Sequence, residues 1–223
     1  AELIRWEPRA IYQIGIGLQH AETEVFRECW PEVELYGIEP SPRICKALRN
    51  PADAAWYPGL VTECAVSDRT GTAHLYQKGH HKDGSSLHNL EGIDKLEVFE
   101  VPTRTIDDLW PSGPRLRPAM LWLDCEGSEL AALRGAIRFL KLVEVVNVEL
   151  THKPVVPGWC SALEVHEFLL EQGFLRQWIH TQRSSAGQVD GVYVRPRLFC
   201  PEYCCCPCQV ERWSCNESAK SHT

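Results

Sequence analysis

The sequence predicts an α/β domain built on a parallel sheet with right-handed crossovers. Three observations carry that prediction. Strand and helix patterns alternate from Ala10 to Val66, which calls for parallel pairing through crossover helices. Glycines follow the first strand, and Glu39 ends the second. The apolar run Ala119 to Leu123 is too short for a helix and breaks off into Asp124, Glu126 and Gly127. A helical face of Leu130, Leu133, Ile137 and Leu140 then begins, with Glu129 in its first turn and Arg138 and Lys141 in its last. A buried strand that delivers acids at its C-terminal end places charge where open α/β sheets bind ligands.

Taken in order, Ala10 to Ile16 is a strand and Ala21 to Trp30 a helix. Glu34 to Ile38 is a second strand. Ser41 then offers an N-cap, with Pro42 at the first position of a helix reaching about Arg49. Leu60 to Val66 is a third strand. From Ser67 to Pro118 the rhythm changes: Asp68 to Gly71 is a turn, and Thr72 to Tyr76 and Leu96 to Val101 are short strands. Between those strands, the polar stretch Gly79 to Ser86 reads as a mobile surface loop. Thr105 caps a short acidic turn to Leu109. After the strand ending at Asp124 and its helix come a strand from Val143 to Leu150 and a helix from Ser161 to Gln172. Two closing strands lie near Phe174 to Ile179 and Val189 to Arg195.

The chain has 223 residues, 44% of them hydrophobic, enough for one sizeable core. A formal net charge of −7 and the lack of a basic cluster argue against nucleic acid as a partner. The longest uncharged apolar runs fall far short of a membrane span. The chain begins at Ala1 and its only methionine is Met120, so a processed or missing N-terminus is expected. Of eleven cysteines, five are scattered through the body, as small buried hydrophobes in a reducing, cytoplasmic compartment would be. The other six, from Cys200 to Cys215, crowd a segment read as a separate tail, 199–223, after a main domain of 1–198. Thiolates that dense can bind zinc through the Cys205 and Cys208 pair, or do nothing.

Gly15 and Gly17 let backbone approach a ligand, and the helix that follows favours negative groups. Glu39, about twenty residues on, is placed to accept hydrogen bonds from ribose hydroxyls. A dinucleotide site wants a third glycine, where this chain has Leu18, Gln19 and His20. S-adenosylmethionine has no phosphate to cradle and tolerates that change. Asp124 and Glu149 end neighbouring strands, so their carboxylates can flank one pocket. His152, three residues beyond Glu149, is the histidine best placed to act as a base. Glu126 can instead cap the amides of its own turn, and His152 can be a solvated loop residue. No acid cluster has compelling metal-ligand spacing, so no metal is expected.

Taken together, Ile11 to Gly17, Gly37 to Pro42, Ala65 to Asp68, Thr105 to Asp108, and Leu123 to Leu130 with Leu133 to Ala136 resemble the FkbM family of methyltransferases. The likeness runs from about Ile11 to Leu150. It implies a Rossmann-like class I methyltransferase fold, a mostly parallel seven-stranded sheet with helices on both faces. It implies S-adenosylmethionine as cofactor, and O-methylation of a hydroxyl on a sugar or other small-molecule or glycan acceptor. Carried over, Gly15 and Gly17 would face the cofactor's methionine end and Glu39 its ribose, with Pro40 also in the cofactor site. Ala65 and Val66 would lie by the adenine, and Asp124 and Glu126 by the transferred methyl and the acceptor. Two positions depart from the family pattern: Gln13 stands where an acid is usual, and Gln19 where a further glycine is common. A nicotinamide-dependent oxidoreductase and a catalytically degenerate binding domain are the alternative readings.

Overall fold

The computed structural model describes residues 6–18, 21–53, 56–78, 84–90, 96–154, 156–181 and 187–196. Gln19, His80, His81 and the cysteine-rich tail lie outside these residues.

The first half of the chain lays down the centre of the main sheet. Strand β1 (Ala10–Ile14) is buried along its whole length and pairs in parallel with β2 (Glu34–Glu39) on one side and β8 (Ala119–Leu123) on the other. Its side chains alternate between two cores. Ile11 joins one with Phe26, Leu35, Ile44 and Leu48. Tyr12 and Ile14 join the other with Leu133, Phe139, Val165 and Leu169. Helices α1 (Ala21–Cys29) and α2 (Pro42–Leu48) therefore cover one face. Helices α4 (Glu129–Arg134), α5 (Ile137–Leu140) and α6 (Ala162–Glu171) cover the other. This two-sided burial is what a parallel sheet requires.

With β3 (Leu60–Glu63), β9 (Val145–Thr151), β10 (Leu175–Thr181) and β11 (Gln188–Val194), the sheet has seven strands in the order β10-β11-β9-β8-β1-β2-β3. Of the seven, β11 alone runs against the direction of the others. The architecture is the mostly parallel, Rossmann-like one that the resemblance implies. Among the described residues, no helix is long and apolar enough to cross a membrane.

Several expectations are corrected in detail. The first strand stops at Ile14, because Gly15 turns the chain at a φ of 78°. The expected third strand is two pieces. β3 belongs to the main sheet, while β4 (Ala65–Val66) pairs with β7 (Leu96–Arg104) in a second sheet of order β4, β7, β5 (Gly71–Lys78), β6 (Ser85–Ser86). Of the expected mobile loop, Ser85–Ser86 form β6, antiparallel to β5 (Gly71–Lys78), and Ser86 is buried. The expected single helix after Asp124 breaks at Gly135. There a Cβ would lie 2.1 Å from the Ser67 carbonyl oxygen, so the backbone of the connecting segment occupies the side-chain position.

The Thr105 to Asp108 block has a structural role. Thr105 caps α3 (Ile106–Leu109), its hydroxyl accepting from the Asp108 amide. Asp107 accepts from the amides of Arg138 and Phe139, which caps α5. Asp108 accepts from the Thr70 hydroxyl, and that bond leads the causes holding its pKa below the usual range.

Candidate active site

The strand ends converge on a cleft of about 240 Å³. Two backbone bonds set its floor. The Gly15 amide donates to the Ile38 carbonyl at 2.9 Å, and the Asp124 amide to the Ile14 carbonyl at 2.9 Å. A Cβ on Gly15 would lie 1.8 Å from the Asp124 carbonyl oxygen, so only glycine lets the first loop sit against the end of β8.

Every residue assigned to the cofactor lines this cleft: Gly15, Gly17, Glu39, Pro40, Ala65, Val66 and Asp124. Glu39 is 3% exposed, and its carboxylate is engaged with the chain itself. One oxygen accepts from the amides of Ile16 at 3.3 Å and Gly17 at 3.1 Å, and the other from Ser41 at 2.9 Å. The loop amides that a pyrophosphate would use are thus already satisfied by a side chain.

Of the proposed catalytic residues, Asp124 and Glu126 line the cleft, whereas Glu149 and His152 do not. Glu126 holds a positive φ of 47°, unusual without glycine, and Gly127 follows at 94°. This turn is braced from several sides. Glu129 accepts from the amides of Cys125 and Gly127 and from the Cys160 thiol. The Ser86 hydroxyl donates to the Glu126 carbonyl at 2.7 Å and accepts from the Trp159 indole and the His88 amide. Capping of the turn, one role considered for Glu126, is supplied by Glu129 at the Cys125 and Gly127 amides. Its position in the first helical turn was legible, but its burial was not. Glu149 accepts from the Gln188 amide group at 2.9 Å. His152 is exposed, its amide donating to the Gly187 carbonyl.

Burial and mutual repulsion act together on the acids here. Burial, then the charges of Glu149, Glu126, Glu129 and Glu22, hold the Asp124 carboxyl well above the usual range. Burial first, then Glu126 and Glu129, push Glu149 from 4.5 up to about 8. A carboxyl raised on folding binds its proton more tightly in the folded state. Its contribution to stability is therefore fully present at low pH and is lost as pH rises from 4.5 to about 8. Glu149→Gln is expected to flatten the fall in melting temperature between about pH 5 and pH 8. An unchanged slope in thermal melts of the variant would show that Glu149 is not the group responsible.

Sequence reasoning missed Glu22 and Trp122, which also line the cleft. Gln13, one of the departures from the family pattern, is absent from the lining. It is buried, accepting from the Thr23 hydroxyl at 3.1 Å. The described lining contains four carboxylates, Glu22, Glu39, Asp124 and Glu126, and no Lys, Arg or His. Such a wall suits a cationic ligand and repels an anionic one. Among the described residues, no group of three His, Cys, Asp or Glu side chains could hold a metal ion.

Against models of known families, residues 14–176 match the methyltransferase FkbM domain. No curated protein matches the chain. Among solved structures, it is similar to magnesium protoporphyrin IX methyltransferase of Synechocystis PCC 6803 with bound SAM. The identity is 10%, over 83% of this chain and 69% of that one, with a TM-score of 0.44. It is also similar to fibrillarin of Aeropyrum pernix with bound S-adenosyl-L-methionine. There the identity is 10%, over 84% of this chain and 66% of that one, with a TM-score of 0.48.

Proposed function

The chain belongs to the FkbM methyltransferase family, and from that premise we propose that it moves a methyl group from S-adenosylmethionine to a hydroxyl oxygen. The acceptor is a sugar or another small hydroxylated molecule. The observation that carries the reading is that every charged side chain in the described lining is a carboxylate, in a cleft whose loop amides are already taken by Glu39. A cofactor bearing a sulfonium and an ammonium fits that lining. A dinucleotide brings a pyrophosphate to a wall without a basic residue among those described, which weighs against the oxidoreductase reading.

When bound, S-adenosylmethionine supplies an electrophilic methyl group whose carbon–sulfur bond breaks as the acceptor oxygen bonds to carbon, leaving a neutral thioether. The residues of this chain align the acceptor and take its proton. Asp124 is the group for the proton, because it lines the cleft and its raised pKa makes its ionised form a stronger base than an ordinary carboxylate. Glu149 acts on Asp124 through charge, without lining the cleft. Gly15 and the braced turn at Glu126 hold the reacting groups in line, where much of the rate of such a displacement arises. In calorimetry, S-adenosylmethionine is expected to bind with a Kd in the range of about 1–100 μM, and NAD not to bind. Binding of NAD with none of S-adenosylmethionine would reject the proposal.

A further inference from the structure

We propose that Glu22 is the counter-ion for the α-ammonium group of S-adenosylmethionine, with the Trp122 indole as the second wall of that subsite; this rests on the cofactor assigned above. A ligand carrying a free ammonium needs a negative partner when it leaves water, and four carboxylates face the cleft. Three of them are otherwise committed. Glu39 holds the amides of Ile16, Gly17 and Ser41. Asp124 is taken up by the acceptor's proton in the reading above. Glu126 has an interaction of its own, on a turn whose backbone carbonyl accepts from Ser86.

Glu22 differs from all three. It lies in the first turn of α1, directly beyond the glycine loop, and is half-buried. Among the described residues no hydrogen bond or ion pair occupies its carboxylate. Phe26, one turn on along the same helix face, meets the Trp122 ring edge-on at 5.0 Å, which places Trp122 beside this end of α1. A cation between a carboxylate and an indole gains from both. Gln13 pairs with Trp122 across β1 and β8 and accepts from Thr23, the residue after Glu22. The helix thus brings its charge to the corner where the first strand carries only an amide.

The test uses three ligands on the intact protein and on Glu22→Gln, read by calorimetry. S-adenosylhomocysteine and its decarboxylated form both keep the ammonium, while 5′-methylthioadenosine lacks the whole amino-acid arm. The substitution is expected to weaken the first two by about tenfold or more and to leave methylthioadenosine within about twofold, which also shows that the pocket is intact. Equal weakening of all three ligands, or of none, would overturn the role of Glu22. An unaltered chain that binds none of the three would overturn the cofactor assignment beneath it.

Discussion

Asp124→Asn is expected to lower kcat by about 10²–10⁴-fold, the range for loss of a positioned general base, while S-adenosylhomocysteine still binds within a few-fold of the unaltered protein. The amide is the same size, so the backbone bond from residue 124 to the Ile14 carbonyl and the packing on Gly15 are preserved. What disappears is the proton acceptor. The pH profile carries a second signature. Activity should rise with pH as Asp124 and Glu149, each raised by burial and by neighbouring acids, give up their protons. Glu149→Gln removes one source of repulsion and should move that limb to lower pH. An Asp124→Asn enzyme with near-normal kcat in steady-state assays would mean that the end of β8 shapes the pocket without touching the proton.

Gly15→Ala should do more damage to the fold than any other single methyl group in the cleft. The new carbon would lie 1.8 Å from the Asp124 carbonyl oxygen, at a φ of 78° that side chains rarely adopt. The strained backbone and the overpacking each cost about 1–3 kcal/mol. The sum is a large part of a domain's net stability. The melting temperature should fall by about 5 °C or more, and nucleoside binding should be lost with it, since the loop after β1 can no longer sit against the end of β8. A variant that melts with the parent protein and keeps its ligand would refute this packing.

The central sheet was readable because its strands are buried on both faces and come in short apolar runs with glycine, proline and acid at their ends, as at Ile14 to Gly17 and Leu123 to Gly127. That Gly15, Glu39 and Asp124 line one cleft follows from the same regularity, since a parallel sheet brings the ends of β1, β2 and β8 to one edge. Long-range contacts were not readable. Nothing local in Ser85–Ser86 says that a serine will be buried against the Glu126 carbonyl, forty residues away. Periodicity through Leu133 and Ile137 runs straight across Gly135, where the structure has a break and the Ser67 carbonyl occupies the side-chain position. In sequence, Glu22 is one of two acids in the first turn of α1, a place the helix dipole favours for acids in general. Its place in the cleft depends on how α1 docks on β1 and β8.

The Glu39 carboxylate has one more consequence. With one oxygen on the amides of Ile16 and Gly17 and the other on Ser41, it staples the tip of the first strand to the tip of the second. The two halves of any molecule lying across those tips then share a single elastic support. Their contributions to affinity should not add: a fragment that stiffens one tip prepays part of the ordering entropy for the fragment at the other.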